Sequence, residues 1–519
     1  MDAASEINEI FSDKYGMHGS APELVFGLVG PLGCNIDAVQ QSLKEELQRV
    51  GYRSELVHIT KHAEDVISTI KLHGMKTYDQ KIDLMNNIVQ ASDNPNFLAR
   101  IAISKIVSIR LAINKENYSS MSDKHAQLIQ SPSTAYIIRQ LKRPEEIELL
   151  RRVYGRKFIQ VSVVVSDQEQ YEAALNIVGQ ENPEKNQVDR ENAARRLVQR
   201  DRAEAGDFGQ KLIGAYHSAD VFLGGSFENI SAHTARFIQA FFGSNYISPT
   251  KDEVGAYLAK AASLRTLDLS RQVGAAITNV SGDIISLGVN EVPRPGGGNY
   301  WCDDESPQRD IERGVEANKL ETKRVMHDFV YALSKHKSVN LDPKEILNDK
   351  EFDGIVKDTL MADITEFGRM THAEMAALAD AARLGRSTQG ATMYVTTFPC
   401  HNCAKHLVAA GISRIVYIEP YAKSKAFELS GDALSHGRKV DGKVLVQHFV
   451  GISPRRYRDI FEKPGKRRDG DRIKKWHYDT PTPMIEDKLT THTMVEFQVL
   501  GNFKETVEAV RDKFVENSA

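Results

Sequence analysis

Four residues in two short segments constrain the fold of this chain more than any other feature. His372 and Glu374 form a His-x-Glu pair, and Cys400 and Cys403 belong to a Pro-Cys-x-x-Cys sequence. Cysteines three positions apart share one face of a helix, so both thiolates can reach the same metal ion. One imidazole and two thiolates supply three ligands of a tetrahedral zinc ion and leave the fourth position open, as in catalytic sites. The fold must therefore bring the two segments together.

The residues around these positions predict a helix, a strand and a second helix. The expected elements are an alanine-rich helix over 373–384 before Gly385, a strand over 391–397, and a helix over 401–410 before Gly411. Both thiolates then lie at a helix N-terminus, where the helix dipole favours negative charge and lowers a thiol pKa. The two helix starts are predicted to meet over one sheet edge.

The His-x-Glu and Pro-Cys-x-x-Cys patterns, in this order, are typical of zinc nucleobase deaminases. Zinc in such a site lowers the pKa of a bound water to about 7. Glu374 does not share a helix face with His372, so we assign it as the general acid and base rather than as a fourth ligand. The expected reaction is hydrolytic deamination of an aminopyrimidine or an aminopurine.

A Cys-x-x-Cys sequence alone is also typical of a structural zinc half-site or of a redox pair. A structural zinc site normally needs two half-sites, and the other cysteines, Cys34 and Cys302, stand alone in the sequence. The upstream His-x-Glu pair and Pro399 therefore favour the catalytic interpretation.

Length and composition indicate a globular protein of more than one domain. A chain of 519 residues is too long for one core, so two domains plus extensions are expected. We find no run of about 18 apolar residues and no signal peptide, which predicts neither membrane passage nor secretion. Four cysteines, two of them in the metal motif, favour a reducing cytoplasm. A net charge of −3 lacks the basic excess of most polynucleotide binders.

The predicted fold class is α/β, with a parallel α/β domain over residues 21–245. Residues 1–20 are polar and are expected to form a flexible N-terminus. Apolar runs predict the strands of this domain at 24–30, 55–59, 135–141, 158–165 and 219–223. The helices expected between them give βαβ units, and these units require a parallel sheet.

A second domain, of α-β-α type, is predicted over residues 250–450. Two strands at 273–278 and 284–289 flank a Ser-Gly-Asp turn and predict a hairpin before the zinc motifs. A long charged segment, 303–365, is interpreted as an insertion between the hairpin and the zinc helix. Residues 451–519 are expected to form a C-terminal extension that begins with a basic run.

Gly27, Gly30 and Gly33 lie between the first predicted strand and helix, where backbone amides can bind an anion. Their spacing is similar to the opening of a P-loop. The residues that follow, Asn35 to Asp37, replace the lysine and the hydroxyl that bind phosphate and magnesium, so kinase activity is not expected. Two interpretations remain, a phosphate-binding loop and a degenerate structural turn, and the second is favoured.

With both halves considered, nearly the whole chain resembles the bacterial anti-phage dCTP deaminases. These proteins join a P-loop-kinase-like N-terminal domain to a deaminase domain of the deoxycytidylate type. Beside the zinc motifs, the resemblance includes Ser270 to Ala275, Gly288 to Asn290, and Trp301 to Asp304. It implies that Asn290 contacts the sugar or base of the nucleotide; a turn-forming asparagine after a strand is the alternative.

The resemblance implies that dCTP, and also dCMP, is converted to the deoxyuridine nucleotide and ammonia, depleting deoxycytidine nucleotides during infection. It further implies an inhibitory small RNA, which would give the basic run 463–475 a role. Because the P-loop lysine is missing, the N-terminal domain is expected to be a sensor that binds a regulatory nucleotide, and a homo-oligomer is expected. The alternatives are a housekeeping dCMP deaminase for thymidylate synthesis and an RNA-binding regulator with a vestigial zinc site. The additional N-terminal domain argues against the former, and the intact Glu374 argues against the latter.

Overall fold

Buried strands form the core of each of the two units into which the chain divides. The computed structural model describes residues 21–67, 77–117, 122–204, 208–224, 227–336, 342–357, 359, 361, 364, 366–478, 482–485 and 492–516. The predicted flexible N-terminus, residues 1–20, lies outside the described residues. The first unit contains the residues up to Glu253 and those from Val450 onward, and the second contains Val254–Phe449.

The N-terminal part of the first unit alternates strands with helices. Its strands are β1 (Leu24–Val29), β2 (Arg53–His58), β3 (Thr134–Arg139), β4 (Phe158–Val164) and β5 (Val221–Gly224). Its helices are α1 (Ile36–Arg49), α2 (Ile59–Val66), α3 (Tyr78–Ser92), α4 (Phe97–Asn117), α5 (Asp123–Leu128), α6 (Pro144–Tyr154), α7 (Asp167–Glu181), α8 (Gln187–Arg202), α9 (Leu212–Tyr216) and α10 (Phe227–Phe241).

The second unit combines a hairpin with helices and parallel strands. Its strands are β6 (Gly274–Thr278), β7 (Ile284–Val289), β8 (Thr392–Thr397), β9 (Arg414–Glu419), β10 (Leu434–His436) and β11 (Val444–His448). The helices of this region are α11 (Lys251–Ser263), α12 (Asp310–Arg313), α13 (Ala317–Ser334), α14 (Pro343–Asn348), α15 (Lys350–Lys357), α16 (Ala373–Arg383), α17 (His401–Ala409) and α18 (Ala426–Ser430).

The C-terminal residues return to the first unit. Their strands are β12 (Gly451–Ile452), β13 (Arg468–Asp469) and β14 (Arg472–Ile473), and their helices are α19 (Tyr457–Phe461), α20 (His492–Val499) and α21 (Phe503–Glu516). The sequence predicts an extension over 451–519, but these residues form part of the first unit. Strand β12 adds a strand to its sheet, and α21 buries Val507 and Val510 in its core. The basic run becomes the exposed pair β13–β14, and its RNA-binding role stays a prediction.

The sheet of the first unit has the order β12-β5-β4-β1-β3-β2, in which β1 to β5 run parallel and β12 pairs antiparallel with β5. Alternate residues of β1 enter different cores: Leu24, Phe26 and Leu28 on one face, Val25 and Val29 on the other. A strand covered on both faces is apolar throughout, as the sequence of β1 is. The predicted parallel α/β fold is therefore confirmed.

The sheet of the second unit has the order β10-β11-β9-β8-β6-β7. Strand β6 pairs antiparallel with β7 and β8, which confirms the predicted hairpin. Strands β8, β9, β11 and β10 run parallel. The elements follow one another in the order that the sequence predicts: the hairpin, then α16, β8, α17 and β9. No described helix of the chain is long and apolar enough to span a membrane.

A buried ion cluster joins the C-terminal helix α20 to the N-terminal part of the first unit. The Arg110 guanidinium donates to both carboxylate oxygens of Glu23, at 2.8 Å each, and also to the carboxylate of Glu496. His492 contacts Glu23 at 2.9 Å through Nε2. Burial alone raises the pKa of Glu23, but Arg110 outweighs it, and the pKa lies well below its usual range. Glu23 is therefore ionised at neutral pH.

Replacing Glu496 with alanine should lower the free energy of unfolding by about 3 kcal/mol, because it leaves part of the buried Arg110 charge uncompensated. Glu505→Ala, an exposed change on the neighbouring α21, is the matched control and should stay within about 0.5 kcal/mol of the wild type. Urea unfolding measures both values. Equal stabilities for the two variants would contradict the role given to the cluster.

Candidate active site

Two helix N-termini meet in the second unit and carry the residues of the metal motif. His372 immediately precedes α16, and Cys400 immediately precedes α17, which follows β8. The Cys400 sulfur accepts a hydrogen bond from the Cys403 amide, so the thiolate itself caps the helix. The backbone amide of Thr371 donates to the Glu291 carbonyl at 3.1 Å and fixes the start of α16. The predicted helix–strand–helix arrangement is confirmed.

Gly288 allows α16 to lie against β7. A Cβ at this position would come within 2.0 Å of the Ala373 carbonyl oxygen and 2.5 Å of the Ala377 amide nitrogen. Both are backbone atoms of the helix and cannot move aside locally. Only glycine therefore permits this approach, and the approach sets the depth at which His372 and Glu374 enter the site.

His372, Cys400 and Cys403 have the geometry of a tetrahedral zinc site. The His372 Nδ1 atom lies 3.4 Å from each sulfur, and all three ligand atoms lie within 4.8 Å of one another. Zn–N bonds of about 2.0–2.1 Å and Zn–S bonds of about 2.3 Å at tetrahedral angles place nitrogen and sulfur roughly 3.5–3.6 Å apart. The observed distances fit zinc, and the three ligands leave a fourth position for water.

A hydrogen bond between the two thiols sets their protonation. This hydrogen bond, supported by the His372 ring and opposed by burial, lowers the pKa of Cys400 to about 3. The same hydrogen bond, together with burial, raises the pKa of Cys403. Cys400 is therefore a thiolate at neutral pH, which is the form that binds zinc. Metal binding would release the proton that remains on Cys403.

Glu374 lies on the first turn of α16 and is only 4% exposed. Burial raises the pKa of its carboxyl group. A carboxyl group with a pKa closer to neutral is suited to both accepting and delivering protons at neutral pH. Because Glu374 is close enough to the zinc ligands for a hydrogen bond with the Cys403 sulfur, the placement agrees with the role that the sequence assigns to it.

A cavity of about 610 Å³ contains the metal ligands His372 and Cys400 and the carboxyl group of Glu374. Phe398 and Tyr421 provide aromatic surface in its wall. Asn318 and His401 also line it, and each has one buried atom, Oδ1 and Nδ1 respectively, without a hydrogen-bond partner among the described residues. The cavity therefore combines flat apolar surface with free polar atoms.

Basic side chains line the same cavity. They are Arg271, Lys319, Lys423 and Lys425, and all four are exposed to solvent. The Arg271 guanidinium lies over the Tyr421 ring at 5.4 Å. Besides Glu374, three carboxylates line the cavity, and one of them, Glu316, pairs with Lys319 at 2.7 Å. The other two are Asp268 and Glu366. Arg271 and Lys425 form no ion pair within the described part of the chain, so they are available to an anionic ligand.

The segment 303–365, interpreted from sequence as an insertion, contributes to the cavity wall. Glu316, Asn318, Lys319 and Ile364 line the cavity, and the Asn318 amide holds the segment together by donating to the Ile364 carbonyl at 2.7 Å. Sequence reasoning missed these residues. Their spacing follows no metal or phosphate motif, and only the tertiary fold brings them to the site.

Asn290 lies in the cavity wall, where its side chain holds the preceding loop. Its Nδ2 donates to the Arg271 carbonyl at 2.7 Å, and its Oδ1 accepts from the Val273 amide at 2.8 Å. One amide hydrogen and one lone pair remain for a ligand. Asn290 thus positions Arg271 in this structure, and its contact with a nucleotide stays a prediction.

The three glycines of the P-loop-like segment do not share one role. Gly27 lies inside β1, where a Cβ would meet the Phe158 ring at 2.6 Å. Gly30 and Gly33 lie in the loop between β1 and α1, and Gly33 has a φ of 87°, which favours glycine. Gly27 is therefore a packing position, and only the other two glycines belong to the loop.

A carboxylate of the protein itself occupies this loop. The Leu32 amide donates to Asp201 Oδ2 at 2.7 Å, and Lys142 Nζ donates to Asp201 Oδ1 and to the Gly30 carbonyl, each at 2.8 Å. Burial alone lowers the pKa of Lys142, but Asp201 outweighs it and the pKa is raised. A phosphate would have to displace Asp201, so phosphate binding by Gly27, Gly30 and Gly33 remains a prediction without support from these contacts.

Comparisons with known proteins agree with the geometry of the site. Residues 250–419 match the family model of the cytidine and deoxycytidylate deaminase zinc-binding region. The deoxycytidylate deaminase of Enterobacteria phage T2 is 54% identical over 54 residues, 10% of this chain and 29% of that protein. The deoxycytidylate deaminase of Mus musculus is 27% identical over 161 residues, 31% of this chain and 60% of that protein.

A solved structure, the apo form of dCMP deaminase from the cyanophage S-TIM5, is 16% identical to this chain. It aligns over 39% of this chain and 100% of that chain, with a TM-score of 0.22. The alignment thus includes the full length of that structure. By contrast, this chain spans only 29% of the length of the phage T2 deoxycytidylate deaminase.

The site has the donor set of a zinc centre with an open fourth position, three protein ligands and an adjacent carboxyl group. Residues 250–419 have the fold of a deaminase domain and match the zinc-binding region of cytidine and deoxycytidylate deaminases. The matched region contains His372, Glu374, Cys400 and Cys403. The predicted deaminase fold and the predicted zinc cofactor are therefore confirmed.

Replacing Cys400 with alanine should remove zinc from the protein, because two remaining ligands bind the ion weakly. The wild type should carry about one zinc ion per chain after dialysis, measured by elemental analysis. Cys302→Ala, which removes an exposed thiol outside the motif, is the control and should keep its zinc. Full zinc content in Cys400→Ala would contradict the assignment of the ligands.

Proposed function

We propose that this protein catalyses the zinc-dependent hydrolytic deamination of dCTP, and also of dCMP, to the deoxyuridine nucleotide and ammonia. The observation that carries the proposal is the buried Glu374 carboxyl group beside the three zinc ligands, at a cavity that Glu374, His372 and Cys400 line. The cavity volume of about 610 Å³ lies within the range of roughly 300–1,000 Å³ that is common for small-molecule sites.

In the proposed reaction, a water oxygen bonds to C4 of cytosine and the C4–amine bond breaks. Zinc, when bound, supplies a water with a pKa of about 7. Glu374 accepts a proton from the water, delivers it to the ring nitrogen N3, and transfers a second water proton to the departing amine. Atoms balance because one water is consumed and one ammonia is released for each uracil formed.

The cytosine ring is proposed to lie against Phe398. The Phe398 ring is held in place by edge-to-face contact with the Tyr417 ring, at 5.0 Å between centroids, and by contact with the Phe427 ring. The free Oδ1 of Asn318 can accept from the exocyclic amine, and the free Nδ1 of His401 can bond another polar atom of the substrate. Both side chains line the cavity with Glu374.

The substrate phosphates are proposed to bind Arg271, Lys423 and Lys425. Arg271 is presented by the loop that Asn290 holds, and Lys423 and Lys425 lie near the start of α18. A triphosphate carries more negative charge than a monophosphate, so this group of cations favours dCTP. Glu316 and Glu366 also line the cavity, and they would disfavour phosphate on the side of α13.

The proposed biological role is the depletion of deoxycytidine nucleotides in defence against phage. It is supported by the resemblance of nearly the whole chain to anti-phage dCTP deaminases and by the presence of the first unit. A housekeeping dCMP deaminase remains the alternative, and activity on dCMP alone would favour it. The cytoplasmic location, the homo-oligomer and the inhibitory small RNA stay predictions of the sequence.

The variant Glu374→Gln should keep zinc, and its rate of dCTP deamination should fall by about 10²–10⁴-fold, because the glutamine amide can neither accept nor deliver the proton. Release of ammonia and formation of dUTP measure the rate. Glu305→Gln, an exposed change in the same unit, is the control and should retain wild-type activity.

Activity of the wild type on dCMP but not on dCTP would contradict the dCTP assignment and leave the dCMP alternative. Full activity of Glu374→Gln would contradict the catalytic role of the carboxyl group. Nucleotide profiling of infected cells expressing each protein then tests the biological role: the wild type should deplete dCTP, and Glu374→Gln should not. An unchanged phage resistance with Glu374→Gln would favour the regulator with a vestigial zinc site.

The double variant Arg271→Ala/Lys425→Ala should lower kcat/KM for dCTP by about tenfold or more, and for dCMP by less. The reason is that a triphosphate makes more contacts with the cations than a monophosphate does. Lys439→Ala, an exposed lysine that does not line the cavity, is the control. An equal decrease for both substrates would contradict the proposed binding of the outer phosphates.

A further inference from the structure

A second cavity, of about 510 Å³, opens in the first unit at the carboxyl ends of β2 and β3. His58 ends β2, and Gln140 follows β3. In open parallel sheets, ligands bind outside the carboxyl ends of the strands, where the strand order reverses. The order reverses at β1, because the chain goes from β1 outward to β2 and, after β3, crosses β1 to reach β4. The cavity lies beside this reversal, at the carboxyl ends of the two strands on one side of β1.

Two buried polar side chains of this cavity have atoms without partners. Arg143 is 1% exposed and Gln210 is 6% exposed, and both line the cavity. The Arg143 Nε and the Gln210 Oε1 have no hydrogen-bond partner among the described residues. Buried polar atoms normally have partners, so a free donor and a free acceptor in one cavity indicate a polar ligand.

Three lysines give the cavity a cationic side. Lys61 and Lys81 are exposed and form no ion pair with any described residue, and Glu64 is the acidic side chain in the lining. Lys142 uses two of its three ammonium hydrogens on Asp201 and Gly30, which leaves one for a ligand. The lysines therefore favour an anion.

The remaining wall is apolar and includes an aromatic ring. Tyr78 lines the cavity together with Ile82, Met85 and Leu98, which are buried. Gln140 adds an amide and has a φ of 72°, a strained conformation of the kind that clusters at binding and active sites. A ligand must therefore present a flat apolar part with polar edges as well as negative charge.

We propose that this cavity binds a nucleoside phosphate. Its base would lie against Tyr78 and Met85 and bond the free atoms of Gln210 and Arg143. Its phosphates would bind Lys61, Lys81 and the remaining ammonium hydrogen of Lys142. The binding site is thus beside the P-loop-like segment and not in it, because Asp201 already accepts from the Leu32 amide of that loop and from Lys142.

Isothermal titration calorimetry on the full-length, zinc-loaded protein tests the proposal. The probes are ATP, GTP and dTTP, which carry no cytosine for the deaminase site, together with inorganic triphosphate and the matching nucleosides. At least one nucleotide should bind saturably, and more tightly than triphosphate or its nucleoside. The double variant Lys61→Ala/Lys81→Ala should weaken this binding by about tenfold or more.

The double variant Lys44→Ala/Lys504→Ala is the matched control. It removes the same charge from exposed positions of the first unit that do not line the cavity, and it should bind the nucleotide as the wild type does. Absence of nucleotide binding at millimolar concentration would overturn the proposal. So would equally tight binding of inorganic triphosphate, or unchanged affinity in Lys61→Ala/Lys81→Ala.

Discussion

The deaminase site depends on how closely helix α16 lies against strand β7. Gly288 permits this approach, since any side chain there would collide with the backbone of the helix at Ala373 and Ala377. The position of α16 fixes His372 against the two cysteines of α17 and buries Glu374 beside them. The positions of the zinc ligand His372 and of Glu374 therefore both follow from one backbone contact.

The first unit shows how charged groups can be buried without forming a catalytic site. Arg110 is satisfied by Glu23 and Glu496, and Asp201 is satisfied by Lys142 and the Leu32 amide. Each of these buried charges is compensated by a partner, so removal of one partner would leave the other charge uncompensated. The cavity at the ends of β2 and β3 differs, since Arg143 and Gln210 retain free polar atoms. These free atoms, together with the lysines of the same cavity, support the nucleotide site proposed there.

Patterns of local origin could be predicted from the sequence, and contacts between distant segments could not. The period of apolar residues predicted β1, α1 and the hairpin of β6 and β7, and the motif spacing predicted all three zinc ligands. Nothing in the spacing indicates that Asp201 enters the glycine loop 169 positions earlier in the chain. The same holds for Asn318, which reaches the active-site cavity from an insertion, and for α21, which returns to the first core. These placements are decided by tertiary packing, which overrides local preference.

The central claim is that His372, Cys400 and Cys403 hold one zinc ion with an open fourth position. Zinc-edge X-ray absorption of the purified protein tests it directly. The account predicts two sulfur neighbours at about 2.3 Å and two nitrogen or oxygen neighbours at about 2.0–2.2 Å, one from histidine and one from water. A first shell of four sulfurs, or one without sulfur, would contradict the assignment of the ligands and with it the proposed chemistry.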